Sequence, residues 1–240
     1  MGNEGSKYRP EISSFLESEM IALQGTDSVK VYVHEGLWNA IYKDVENCWW
    51  SSLPSGTIKR FVEFLYQGDY TTPPPGPLSV ITMYGQGNDS GAKEKQKEIT
   101  QFPAPTKFKG YEGVLLSHAE LFIIGHSQDI DILRDTSFLK LNRDLEEAEA
   151  KLPKPIFLEN IVELFRYSYS QNFMSNSPAW GDLQEHLSKM WVEKIELLHE
   201  IPISSLFIGE GKLMKDLMSA TTKSLVEMKK KQQAAEPESA

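Results

Sequence analysis

The sequence predicts an α/β protein that is mostly helical and carries one small β-sheet. The helices are predicted from apolar residues that recur every three or four positions over most of the chain. The sheet is predicted from two short alternating segments, residues 19 to 24 and 29 to 34, on either side of a Gly-Thr-Asp-Ser turn. A segment from 72 to 113 is rich in proline, glycine and lysine and predicts a long disordered insert.

The most clearly patterned helix covers residues 57 to 70. Its charged residues, Lys59, Arg60 and Glu63, lie opposite an apolar stripe, so one face is expected to be buried. Gly68 follows at the position where a left-handed residue often ends a helix, and the prolines after it prevent continuation. The predicted apolar stripe consists of Ile58, Phe61, Val62 and Leu65.

Before this helix, a strand and a shorter helix follow one another directly. In the second strand, Val29, Val31 and Val33 are expected to point toward the core because alternate residues share one side of a strand. Residues 35 to 45 return to helical spacing. Their predicted inner face carries Leu37, Ile41 and Val45.

After the insert, residues 115 to 145 predict two consecutive helices. Ser127 or Asp129 is expected to cap the second helix. Asp129, Asp131 and Asp135 fall on more than one side of that helix, which favours solvated charges over metal ligands. The predicted inner residues are Leu115, Ala119, Phe122, Ile123, Ile132, Leu133, Phe138, Leu139 and Leu145.

Pro153 and Pro155 mark a boundary, and three more helices are predicted beyond it. Met214 and Met218 of the last helix are assigned to core packing, with an adaptable docking surface as the alternative. The polar tail from 229 is expected to be frayed. The predicted stripes are Leu158, Ile161, Val162, Phe165 and Tyr169; Leu183, Leu187, Met190, Trp191, Ile195 and Leu198; and Leu213, Met214, Leu217, Met218 and Leu225.

Composition narrows the function classes. The formal charge of −9 argues against a nucleic-acid partner, and no apolar run reaches the roughly 20 residues that span a bilayer. The single cysteine, Cys48, excludes an intrachain disulfide and a thiolate metal cluster, which fits an intracellular protein of the cytoplasm or nucleus. Gly2 and Ser6 match the short pattern for myristoylation, which also arises by chance. No phosphate-binding loop is present, and no cofactor or metal is expected.

Histidine and tryptophan residues near the cysteine have both a chemical and a structural interpretation. His34 and Cys48 form a conceivable nucleophile pair, but no third orienting residue or oxyanion-hole turn stands nearby. The structural interpretation of both residues is therefore favoured. Trp49 and Trp50 are assigned to the core, with a partner contact as the alternative.

Three segments of the chain resemble BTB/POZ domains, particularly the divergent type found in fungi. These segments read VYVHEGLWNA, FVEFLYQGDY and LLSHAELFIIGHSQDIDIL. The chain departs from the family pattern at Glu35, at Gly125 and His126, and in residues 46 to 55, which are about half the family's usual length. His126 is expected to face solvent. The matching positions, all structural in the family, are His34, Phe61, Leu65, Tyr66, Gly68, Tyr70, His118, Ala119 and Leu133.

The resemblance implies a BTB/POZ-like helical cluster with a small sheet over residues 12 to 147, followed by a helical extension over 153 to 228. Residues 1 to 11 and 229 to 240 are expected to be disordered. The implied function is a protein–protein interaction module without catalytic activity, whose partners are other proteins. A cullin-type ubiquitin ligase adaptor is the alternative, and a Cys/His hydrolase a remote one. The shortened segment leaves a third strand open. The short turn over residues 12 to 16, in place of the family's long N-terminal helix, favours a monomer over the family's homodimer.

Overall fold

A computed structural model describes residues 15–41, 49–77, 109–170, 173–198 and 211–235. Within these ranges the protein is mostly helical with one small antiparallel sheet, as the sequence predicts. None of the helices described is long and apolar enough to cross a membrane. The elements are β1 (Met20–Gln24), β2 (Lys30–His34), α1 (Glu35–Ile41), a 3-10 turn (Trp49–Ser52), α2 (Ser55–Gln67), α3 (Glu112–Ser127), α4 (Asp131–Lys151), α5 (Lys154–Ser170), α6 (Ala179–Glu193), α7 (Ile195–Leu198) and α8 (Gly211–Ala235).

The predicted hairpin is confirmed, and its turn packs against the segment before α2. Ile21 pairs with Val33 and Leu23 with Val31, so that Leu23, Val31 and Val33 face the core. Val29 precedes the paired residues and is exposed, contrary to the prediction. The Thr26 N–H donates to the Leu53 carbonyl at 2.9 Å, which ties the turn to the chain entering α2.

Helix α2 confirms the predicted stripe and its end. Gly68 has φ +74°, and its N–H donates to the Phe64 carbonyl at 2.8 Å, as expected of a left-handed C-terminal residue. Lys59 is exposed, whereas Arg60 is half-buried and lies near Glu120 rather than in open solvent. The buried residues of the helix are Ser55, Thr57, Ile58, Phe61, Val62, Phe64 and Leu65.

The tryptophans assigned to the core form an aromatic cluster between α1 and α2. Trp38 stacks on Trp49 with ring centroids 6.4 Å apart and meets Trp50 edge-on at 5.2 Å. Phe61 of α2 contacts both Trp38 and Trp49 edge-on. In the described part of the shortened segment, Trp49 and Trp50 therefore contribute their rings to this cluster.

Helices α3 and α4 form a tight antiparallel pair. A Cβ on Gly125 would lie 2.5 Å from the Arg134 nitrogen, so only glycine allows the two backbones to approach this closely. The predicted capping residues are wrong: Ile130 occupies the cap position without a side-chain bond, and Asp129 adopts φ +54°. Ile132 and Leu139 are exposed, which corrects their assignment to the inner face.

The C-terminal helices follow the predicted order with three corrections. Lys194 separates α6 from α7, and Ile195 is exposed rather than internal. In α8, Met218 and Leu225 are exposed, although their spacing predicts a place in the core. The helix also continues to Ala235, past residue 229 where the tail is expected to begin.

Several predictions fall outside the described residues. These concern the N-terminal segment, Val45, Cys48, the C-terminal end of the chain and most of the insert. The two ends of the insert are described, and they lie side by side, because the Gly76 N–H donates to the Gly110 carbonyl at 2.6 Å. The chain thus enters and leaves the insert at one place on the fold.

Candidate functional site

A chain of hydrogen bonds joins three buried side chains at the centre of the fold. His118 on α3 contacts the Tyr70 hydroxyl through Nδ1 at 2.8 Å and Asp144 Oδ2 on α4 through Nε2 at 2.7 Å. All three side chains are almost fully buried. The order tyrosine, histidine and aspartate is also that of a proton relay, so a catalytic interpretation has to be weighed.

The protonation states follow from the hydrogen bonds. Burial lowers the pKa of His118, although the bond to Asp144 acts in the opposite direction. Burial acts to raise the pKa of Asp144, but hydrogen bonds from His118 and Arg143 outweigh it and hold that pKa below its usual value. His118 is then a neutral imidazole. Its Nε2–H donates a hydrogen bond to the Asp144 carboxylate, and its Nδ1 accepts a hydrogen bond from the Tyr70 hydroxyl.

Two basic side chains of α4, Lys140 and Arg143, bind this network from its outer side and connect the end of α2 to α4. Lys140 lies 4.1 Å above the Tyr70 ring and 2.6 Å from Asp69 Oδ1, and it also donates to the Tyr70 carbonyl. Arg143 donates to Asp144 through Nε at 2.8 Å. Lys140 thus holds Asp69 and Tyr70 in place, and Arg143 holds Asp144.

A catalytic role for this network has little support. Burial raises the pKa of Tyr70, whereas a nucleophilic or general-base phenol needs a lowered pKa. The ring is also covered on its outer side by Lys140. The arrangement is that of a structural lock, in which a fully satisfied polar network fixes how three segments pack.

A second buried acid lies on the opposite side of α3. Glu120 accepts hydrogen bonds from the Thr57 hydroxyl of α2 and, at 2.8 Å, from the Tyr167 hydroxyl of α5. Complete burial raises the pKa of Glu120 to about 7, even though both hydrogen bonds and nearby Arg60 favour the charged form. One titratable carboxyl therefore connects α2, α3 and α5 near neutral pH.

His34, the histidine considered for nucleophilic chemistry, is committed to a structural contact. Its Nδ1 lies 2.6 Å from the Tyr66 hydroxyl, which also accepts the His34 backbone N–H at 3.1 Å. These bonds join the end of β2 to α2. Cys48 lies outside the described residues, so the predicted pair remains a prediction.

Among the residues that the structure describes, two grooves involve α6. One of about 620 Å³ runs between α6 and α8 and carries both lysines and carboxylates, among them Lys189, Lys223 and Glu185. The other, of about 420 Å³, is lined by residues that already bind one another: His126 contacts Asp182 at 3.0 Å. His126 is thus half-buried and in contact with Asp182 rather than freely solvated.

The acidic residues near the start of α4 form ion pairs. Arg134 contacts both Asp131 and Asp135 at 2.9 Å, which agrees with their interpretation as solvated charges. Among the residues described, no three metal-ligating side chains lie close enough together to hold an ion.

Helix α8 has two very different sides. Leu213 and Leu217 are buried where α8 packs on α6, with 6% and 4% of each residue exposed. The neighbouring side carries a row that we call the α8 stripe, in which Met218 is 63% exposed and Leu225 52%. The α8 stripe consists of Met214, Met218, Thr221, Leu225 and Met228.

The structure brings together most of the residues that the sequence singled out. Phe61, Leu65, Ala119 and Leu133 belong to one core. Tyr66 holds His34, and Tyr70 holds His118, while Gly68 ends α2.

Two functional candidates were missed by sequence analysis. Asp144 lies 26 positions from its histidine, and no local pattern links them. Glu120 did carry a signal, because it is an acid inside the apolar row of α3.

No protein-family model matches the chain, and neither a curated protein nor a solved structure shows a significant match.

Proposed function

We propose that this protein is a protein–protein interaction module of the BTB/POZ type, that it has no catalytic activity of its own and that it acts inside the cell. The observation that carries the proposal is the α8 stripe. Exposed apolar side chains in a continuous row mark protein–protein contact sites, whereas single exposed apolar residues are ordinary. Met218, Leu225 and Met228 are each at least half exposed and occupy one side of the same helix.

The buried polar groups support a binding role over an enzymatic one. The Tyr70, His118 and Asp144 side chains are all engaged with one another. Such a network stabilises a single packing arrangement and leaves none of these groups directed at a substrate.

The likeness to BTB/POZ sequences gains support from these contacts. The family-signature residues His34 and Tyr66 bind each other, as do Tyr70 and His118, although they are far apart in the chain. Residues with no contact between them would have argued for a chance likeness.

A cullin is not the partner we expect. In the part of the shortened segment that is described, Trp49 and Leu53 are buried in the core and Trp50 packs against it, so these large apolar side chains are not offered to a partner. Family members contact cullins through this region, and a stable interface needs about 1,000 Å² or more. Purified protein and a cullin N-terminal region should therefore elute separately from a sizing column, and a stable one-to-one complex would contradict this expectation.

The proposal is tested by crosslinking in cells followed by affinity purification and mass spectrometry. The bait is compared with a variant that carries Met218→Ser and Leu225→Ser. A variant with Lys59→Ser and Lys230→Ser, both exposed and away from the stripe, is the matched control. We expect a set of partners that the stripe variant loses and the control retains. Identical partner sets for all three baits would refute an interaction role for this helix.

A further inference from the structure

The α8 stripe has the spacing of a coiled-coil seam. Its members follow one another at intervals of four, three, four and three residues, from Met214 to Met228. An average interval of 3.5 residues is the period at which the side chains of one helix stay in contact with a second helix along its length. At 1.5 Å per residue the stripe is about 21 Å long, or four turns.

The charges beside the stripe are all positive. In the heptad that the stripe defines, three of the six flanking positions carry Lys215, Lys229 and Lys231, and the other three are uncharged. The acids of the helix, Asp216 and Glu227, fall on the far side, and Asp216 accepts a hydrogen bond from Tyr169 at 2.9 Å. The three lysines are exposed and lie within reach of whatever covers the stripe.

We propose that α8 binds an acidic amphipathic helix of a partner protein. This proposal rests on the proposed function. Apolar residues of that helix would cover Met218, Leu225 and Met228, and its glutamates or aspartates would lie beside the lysines. A second copy of this chain fits less well, because antiparallel pairing of the stripe with itself brings Lys215 of one copy beside Lys229 of the other on one edge and adds no opposite charge on the other edge. Methionines adapt their shape to the side chains that they meet, which suits a helix-in-groove contact.

The test uses synthetic helical peptides of three heptads. The first peptide carries leucine at its seam and glutamate at the flanking positions, and the second has lysine in place of every glutamate. Binding to the full chain is measured by fluorescence anisotropy at low and at high salt. We expect the glutamate peptide to bind at least about tenfold more tightly than the lysine peptide, and salt to reduce the difference.

Variants separate the seam from the charges. Leu225→Ser should weaken binding of the glutamate peptide about tenfold without altering the fold, because Leu225 is half exposed. Lys229→Glu with Lys231→Glu should weaken it by a similar factor. The matched control, Lys59→Glu with Lys230→Glu, makes the same change in net charge at exposed positions away from the stripe and should stay within about twofold.

Four outcomes would overturn the inference. They are absence of peptide binding, equal binding of the two peptides, insensitivity to Leu225→Ser, and equal effects of the two charge-reversal variants. Sedimentation that reveals a dimer abolished by Leu225→Ser would assign the stripe to a second copy instead. A lowered unfolding midpoint for Leu225→Ser would show that the stripe is covered by the protein's own chain.

The two proposals can fail separately. If neither peptide binds but crosslinked partners still depend on the stripe, the interaction module stands and the acidic helix is refuted. If no partner depends on the stripe in cells, the proposed function itself fails, whatever the peptides do.

Discussion

Replacing Glu120 with glutamine should change how the stability of this protein depends on pH. The carboxyl is completely buried between α2, α3 and α5, and burial raises its pKa to about 7 from the ordinary 4.5. The folded protein therefore holds a proton on Glu120 that the unfolded chain has already lost. The amide of the Glu120→Gln variant remains neutral and is still able to bond to the Thr57 and Tyr167 hydroxyls.

The sign of the effect follows from proton linkage. Between pH 4.5 and about 7 the folded state binds more protons at this site than the unfolded state, so the Glu120 contribution to stability falls as pH rises. It is constant below and above that window. The difference between the two pKa values corresponds to about 3 kcal/mol, which the wild type loses across the window and Glu120→Gln does not.

The assay is urea unfolding of both proteins at several pH values from about 4 to 8, which span the raised pKa. The difference in unfolding free energy cancels the other titrating groups, such as His118, because both proteins share them. We expect the difference to move in favour of Glu120→Gln by about 3 kcal/mol from the acidic to the neutral end. Glu159→Gln, on the exposed side of α5, is the control and should show no such trend. A difference that stays constant with pH would refute the raised pKa and show an ionised Glu120 in the fold.

Three further predictions concern the core and the insert. Phe61→Ala should lower the free energy of unfolding by about 2 to 5 kcal/mol, because Phe61 is buried in the tryptophan cluster. Lys59→Ala should change it by no more than about 0.5 kcal/mol. Equal losses in denaturant unfolding would contradict the orientation of α2. Gly125→Ala should lower the free energy of unfolding by about 1 to 3 kcal/mol, because the added Cβ clashes with α4. Gly181→Ala should be neutral or stabilising, because a Cβ there meets nothing within 4 Å. Unaltered stability of Gly125→Ala would refute the close approach of α3 and α4. Replacing residues 78 to 108 with a short linker should change the free energy of unfolding by about 1 kcal/mol or less, since the backbones of Gly76 and Gly110 are already joined by a hydrogen bond. An insoluble product would place the insert in the core.

Local patterns were enough to predict the elements. The stripe of α2, its glycine end and the alternation of the two strands depend on residues within a few positions of one another, and the fold contains each of them. The sequence also determined the absence of an intrachain disulfide and the negative overall charge. It did not determine which helix faces are covered, because a helical period shows that a face is apolar without showing what packs on it.

The tertiary structure decided what depends on distant partners. Ile132 and Leu139 lie on α4 at apolar spacing, yet none of the elements described covers them enough to bury them. The pKa of Glu120 depends on helices on either side of it, and the neutral state of His118 depends on its burial by distant segments, which outweighs the opposite effect of Asp144. The α8 stripe is the clearest case. Its pattern resembles a core helix, but α6 covers only the side with Leu213 and Leu217, so the adjoining methionine and leucine side chains remain at the surface.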